Sequence, residues 1–139
     1  MIRKVFVYVL RQGGREILTF ESHDEPGFEV PKGGIEPGET PEQAAHRELM
    51  EEAGVDLGGD IVEGAFARLG AICWQGEEQI FLLAEAPSSI PDAFDHTVTG
   101  TGSDAGMHYR FRWLPVDERL RERLVQGCAA FVKQLLDRG

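Results

Sequence analysis

Between Gly33 and Val55 the chain reads Gly-Gly-Ile-Glu-Pro-Gly-Glu-Thr-Pro-Glu-Gln-Ala-Ala-His-Arg-Glu-Leu-Met-Glu-Glu-Ala-Gly-Val, and few local structures can accommodate it. Gly33-Gly34 allows a tight turn or a close backbone approach, and Pro37-Gly38 favours another turn. Thr40 suits an N-cap, Pro41 the first helical position, and Gln43 completes a capping box. The spacing predicts a helix from Pro41 to about Ala53 that stops at Gly54, with Ala44, Ala45 and Leu49 turned inward.

On that helix Glu48 and Glu52 share a face and Glu51 flanks it. Like charges so close cost stability unless a positive charge sits among them. Arg47 meets that need, and so does a divalent cation. Carboxylate oxygens converging from one helix suit Mg²⁺ or Mn²⁺, hard ions that keep waters and accept substrate phosphates as further ligands. Glu39 approaches the same region from ahead of the helix. The guanidinium fork of Arg47 suits a bidentate clamp on a carboxylate such as Glu39 better than a contact to substrate. A Glu-rich helix is ordinarily just a solvated acidic face. Here the glycine turn, the helix start and the helix stop all fall in register with the carboxylates.

Gly33, Glu39, Arg47, Glu48, Glu51, Glu52 and Gly54, with aliphatic Leu49 and Val55, resemble the complete motif of the Nudix hydrolases, and Val30-Pro31-Lys32 resembles the lead-in of some members. The resemblance implies an α/β fold: an α/β/α sandwich with a central mixed sheet, the motif helix and a C-terminal helix. It also implies Mg²⁺-dependent hydrolysis, with Mn²⁺ as a substitute, of a nucleoside diphosphate linked to another moiety. By position, Glu48, Glu51 and Glu52 resemble the metal-binding carboxylates, with a backbone carbonyl of Gly33 as a further ligand. Glu39 and Arg47 resemble the pair that orients them. The motif is specific for the family and nearly silent on substrate.

A length of 139 residues fits a single domain. The formal net charge of −10, from 24 acidic and 14 basic residues, argues against a broad nucleic-acid face or an anionic membrane surface. A small nucleotide substrate, its phosphates held through a metal, remains compatible. Cys73 and Cys128 lack zinc spacing and read as reduced core cysteines. The apolar run Val5 to Leu10 is short and interleaved, so it predicts a strand rather than a leader or a membrane span. A cytoplasmic protein, monomer or homodimer, is expected.

Val5, Val7 and Val9 alternate with Phe6, Tyr8 and Leu10, which predicts a strand covered on both faces. Gln12-Gly13-Gly14 turns into a second strand over 16–20. Phe28–Val30 is a short strand feeding the glycine turn. Gly58-Gly59 marks a turn, and 62–74 gives one or two strands with an irregularity at Gly64 or Gly70. Residues 79–84 predict a central strand. The stretch 87–106 reads as a long loop, too long for an ordinary connector. A strand is expected over 108–114, then a final helix over 118–137 with Leu124, Cys128, Phe131 or Val132, and Leu135 as its apolar stripe.

Hydrolysis needs an activated water. Glu51 and Glu52 can share that task with the metal. Outside the motif Glu78, ahead of the central strand, and Asp104, in the long stretch, are the favoured candidates over Glu77, Asp92 and Asp95. Lys32, beside the glycine turn, is placed to reach a phosphate. Tyr109, Phe28 or Trp74 can stack a base. Arg110 and Arg112 alternate on one strand face, where they either bind further phosphates or decorate a solvent surface. His46 is expected to face away from the carboxylates and to be exposed. Among substrates the lead-in favours dinucleoside polyphosphates, with nucleoside triphosphates, nucleotide sugars and ADP-ribose as alternatives. A non-catalytic nucleotide-binding module and an enzyme acting on RNA 5′ ends are the competing functions.

Overall fold

The computed structural model describes residues 1–57 and 63–138. Its centre is β1 (Ile2–Arg11), whose Val5 to Leu10 are all buried, as alternation of apolar side chains on both faces requires. The left-handed backbone of Gln12, Gly13 and Gly14 returns the chain into β2 (Glu16–Glu21). Then follow β3 (Phe28–Glu29), β4 (Lys32–Gly34), β5 (Phe66–Trp74), β6 (Glu77–Glu85), β7 (Ala93–Thr97) and β8 (His108–Pro115). The sheet runs β5-β6-β1-β2-β8-β7; β1 and β6 are parallel and every other pair is antiparallel, so the sheet is mixed.

β1 and β2 pair only at their hairpin end, Leu10 with Ile17 and Arg11 with Glu16. Beyond that the sheet opens, and the returning chain fills the gap: β3 takes β2 while β4 takes β1, setting Gly33 opposite Val5. This split delivers the glycine turn to the edge of the helix layer. One apolar core, including Val7, Phe20, Ala45, Leu49 and Phe111, lies under α1 (Pro41–Glu48). The other, including Tyr8, Phe81, Leu120, Leu124 and Val132, lies under the C-terminal segment. The layering expected from the resemblance is thus present.

Two stretches differ from expectation. Residues 87–106 are not loop throughout, because Ala93–Thr97 pairs with β8 as an edge strand and Phe94 stacks on Phe111 at 5.0 Å. The final helix is broken into α2 (Leu120–Arg123), a 3₁₀ turn (Gln126–Cys128) and α3 (Val132–Arg138). Leu124 and Val125 are extended there, and Val125 donates its N–H to the Phe28 carbonyl at 2.8 Å. Buried Tyr8 closes the break: its hydroxyl donates to the Cys128 carbonyl at 2.6 Å and accepts from the Phe131 N–H at 3.2 Å. Leu124, Cys128, Val132 and Leu135 are nonetheless buried as the stripe required.

The irregularity in 62–74 is a register shift between Arg68 and Gly70; Val62 and the Gly58-Gly59 turn lie outside the described residues. Cys128 is buried, but Cys73 is exposed near the end of edge strand β5, contrary to a core assignment. Among the described residues no helix is long and apolar enough to cross a membrane.

Candidate active site

The capping box forms as the sequence requires: Thr40 Oγ1 accepts from the Gln43 N–H at 3.1 Å and Gln43 Oε1 accepts from the Thr40 N–H at 2.9 Å. With its start fixed, α1 presents its carboxylates toward the glycine turn. Its continuation is not α-helical. Leu49–Ala53 widens into a single π-helical turn, a local distortion that often marks a functional site. Gly54, at φ +68°, ends it as the sequence predicts.

Arg47 is the hub of the acidic cluster. Its Nε and Nη2 clamp the Glu39 carboxylate at 2.9 and 2.8 Å, Nη2 also donates to the Gly34 carbonyl at 2.8 Å, and Nη1 donates to Glu48 at 2.8 Å and to Glu51 at 3.4 Å. The bidentate pairing expected for Glu39 is therefore made, and it ties the helix to the glycine turn. The Arg47 hydrogen bonds hold the Glu39 carboxyl below its usual range, against some burial. Gly33 faces Glu48 so closely that any Cβ there would overlap the Glu48 carboxyl. Glycine is needed here for approach, not for a special dihedral.

Burial pushes the Glu48 carboxyl up to about 7, against the pull of Arg47. Glu52 is 3% exposed, and burial raises its carboxyl well above the ordinary range. The Lys32 N–H, donating to Glu52 Oε1 at 3.1 Å, opposes that rise; a hydrogen bond with Asp104 adds to it. Tyr109, buried and stacked on Phe20 at 4.2 Å, has its phenol pushed upward by burial and then by Glu52 and Asp104.

These groups line one groove of about 700 Å³, which Lys32, Gly33, Glu48, Glu51, Glu52 and Asp104 share. A larger hollow of about 850 Å³ near Leu10, Arg15, Phe66 and Leu135 contains none of the motif carboxylates. Lys32 reaches the groove with its Nζ 2.8 Å from Glu29. Glu78 does not belong to the groove: it pairs with Arg3 at 2.8 Å near the start of β6. Arg110 and Arg112 point to the opposite face of β8 from Tyr109, with Arg110 largely exposed near Asp95 and Arg112 over the Phe28 ring at 5.4 Å. The strand's alternation that buries Tyr109, Phe111 and Trp113 turns both arginines away. His46 is half-buried rather than exposed, with Nδ1 4.0 Å from Asp56. Lys4, Asp24 and Thr101 also line the groove, and no sequence pattern marked them.

Hard divalent cations take oxygen ligands, and the groove offers the carboxyls of Glu48, Glu51, Glu52 and Asp104 beside a backbone that Gly33 brings close, with no histidine or cysteine among its lining residues. Among the described residues no three acidic, histidine or cysteine side chains are already gathered as a metal cluster, and Arg47 donates to both Glu48 and Glu51. The donor chemistry fits Mg²⁺ or Mn²⁺ and does not fit zinc.

The family model described as NUDIX domain matches residues 1–135. RNA pyrophosphohydrolases of Yersinia enterocolitica and Yersinia pestis are 50% identical over 46 residues, 33% of this chain and 25% of theirs. The chain thus spans about a quarter of the length of the curated relatives it matches. Solved structures from a study of MutT from Aliivibrio salmonicida and Vibrio cholerae (TM-score 0.67, 20% identity, 98% of this chain and 96% of that one) and of a NUDIX family hydrolase from Clostridium perfringens (0.64, 17%, 99% and 97%) share the fold. With the family model running through the split sheet and the carboxylate helix alike, the chain belongs to the NUDIX family.

Proposed function

We propose that the chain hydrolyses a phosphoanhydride bond in a nucleoside diphosphate linked to another moiety. The observation that carries this is that Glu48, Glu51, Glu52 and Asp104 all line one groove bounded by the Gly33 backbone. Glu48, Glu51 and Glu52 would hold Mg²⁺, with Asp104 and the Gly33 backbone beside them. The bound ion would neutralise phosphate charge and acidify an attacking water. Arg47 and Glu39 fix the helix against the glycine turn, so the carboxylates do not reorganise during reaction. Asp104, which lines the groove beside them, would take the water's proton at a carboxylate oxygen, and the phosphate group displaced from the anhydride would leave. Lys32, whose Nζ shares the groove with Glu29, meets a substrate phosphate, and Tyr109 on Phe20 forms an aromatic wall. Dinucleoside polyphosphates are the favoured substrates, on the Val30-Pro31-Lys32 lead-in.

The test is a screen with Mg²⁺ against Ap₄A-type dinucleotides, nucleoside triphosphates, nucleotide sugars and ADP-ribose, products separated by ion exchange, with Glu52→Gln in parallel. Turnover that needs metal and disappears in the folded variant is the expected result. Full turnover by a variant altered at Glu48, Glu51 and Glu52 together would sink the reading. The local likeness to RNA pyrophosphohydrolases favours a second reading, release of pyrophosphate from a 5′-triphosphate RNA end. A short 5′-triphosphorylated oligonucleotide belongs in the same panel, and its preferential cleavage would select that reading.

A further inference from the structure

The π-helical turn redirects the N–H that a continuing α-helix would give the Glu51 carbonyl. Gly54 donates its N–H to the Leu49 and Met50 carbonyls, and Val55 donates to Leu49 rather than to the Glu51 carbonyl. Orphan carbonyls at helix ends need donors from elsewhere. Here they come from β7 and the residues just after it: His96 Nε2 lies 3.1 Å from the Glu51 oxygen, the Thr99 N–H donates at 2.9 Å and Thr99 Oγ1 at 3.4 Å. Since a carbonyl only accepts, His96 carries its proton on Nε2. The fit is close on both sides. A Cβ on Gly54 would come within 2.9 Å of the His96 ring, and one on Gly100 within 2.6 Å of the Glu51 carboxyl. The same segment then folds back through Val98 and Met107 and brings Asp104 to Glu52.

We propose that His96 and Thr99 are positioning residues: by gripping the Glu51 carbonyl they fix the rotation of the turn that presents Glu51 and Glu52 to the groove. This deepens the hydrolase reading and rests on it. Neither residue lines the groove. They supply the donors that Val55 would have given the Glu51 carbonyl had the α-helix continued, and they tie the turn to β7. Edge strand β7 thereby becomes part of the site, although its own surface positions carry nothing reactive.

The test pairs His96→Phe/Thr99→Val, which keeps volume against Gly54 but removes both side-chain donors, with His96→Gln, whose amide restores a donor. Mn²⁺ binding to each protein is followed from the loss of the free-ion EPR signal, alongside kcat and KM on the best substrate. We expect the double variant to bind Mn²⁺ about tenfold more weakly and to lose about tenfold in kcat, the scale of losing groups that support metal ligands. KM should stay within about twofold and His96→Gln should fall close to wild type, because the donor and not the ring is at issue. If the double variant does not fold, Thr99→Val alone carries the test, with a weakening of about threefold expected. Unchanged Mn²⁺ affinity and kcat in a folded variant would overturn the proposal, as would His96→Gln impaired as badly as the phenylalanine variant. Wild-type protein that binds Mn²⁺ but cleaves nothing defeats the hydrolase reading alone, leaving the positioning claim to be judged on affinity. Wild-type protein that binds no Mn²⁺ overturns both.

Discussion

Glu48 should destabilise the metal-free protein at neutral and alkaline pH, so Glu48→Gln should stabilise it there. Its side chain is 14% exposed, and burial outweighs Arg47 to lift the carboxyl from 4.5 to about 7. A rise of that size favours the protonated form in the fold by ~3 kcal/mol. Allowing for solvent screening of a partly buried group leaves about 1–2 kcal/mol. The sign follows from linkage: with the folded value above the unfolded one, the stabilisation is complete below pH 4.5 and is lost as the pH rises through 7. Glutamine keeps an acceptor for Arg47 Nη1 and carries no charge to desolvate. In EDTA at pH 8 the variant should therefore melt about 3–6 °C higher than wild type, with the gap closing near pH 4.5. Saturating Mg²⁺ should raise the wild-type melting temperature more than the variant's, because the ion needs the charge that the empty site resents. Differential scanning calorimetry in chelator and in Mg²⁺ at the two pH values measures all of this. A variant less stable than wild type at pH 8 in EDTA, or a gap identical at both pH values, would refute the reasoning.

Gly33→Ala should push Glu48 aside and weaken Mn²⁺ binding at least tenfold in an EPR titration, while the melting temperature falls only a few degrees. Tyr8→Phe removes a buried hydroxyl that serves both Cys128 and Phe131; a loss of about 1–3 kcal/mol in urea denaturation is expected, with kcat unchanged. Arg110→Ala with Arg112→Ala should leave KM within about twofold in steady-state assays, since both side chains lie on the face of β8 away from the groove; a tenfold rise would return them to the substrate site.

What the sequence disclosed and what it hid divide along the range of the interactions involved. Thr40, Pro41, Gln43 and Gly54 act within a few residues of themselves, so the helix start, its stop and the Glu39–Arg47 clamp were all readable. The π-helical turn was not, and the donors that meet its Glu51 carbonyl come from β7 and beyond, more than forty residues away. Glu78 and Asp104 were equal candidates in one dimension. Only the pairing of β6 with β1 sends Glu78 to Arg3, and only the return of the chain after β7 sends Asp104 to Glu52. Arg110 and Arg112 illustrate the same point: their alternation was visible, but which face of β8 meets the groove is set by Phe94, Phe111 and the helix layer.

The C-terminal segment shows why a correct burial pattern can coexist with the wrong element. Apolar residues spaced as on a helix need only end up on one side, and a broken path satisfies that as well as a continuous one. An unbroken helix through Gly127 would have left the Phe28 carbonyl and the Tyr8 hydroxyl, both facing the inner side of this segment, without their present partners. Glycine in a helix interior already costs about 1 kcal/mol, and unmet buried polar groups cost about 1–3 kcal/mol each. Together these exceed what a few helical hydrogen bonds at ~1 kcal/mol return. The break is therefore the lower-energy course, and it was legible only once β1 and β3 were known to lie beneath it.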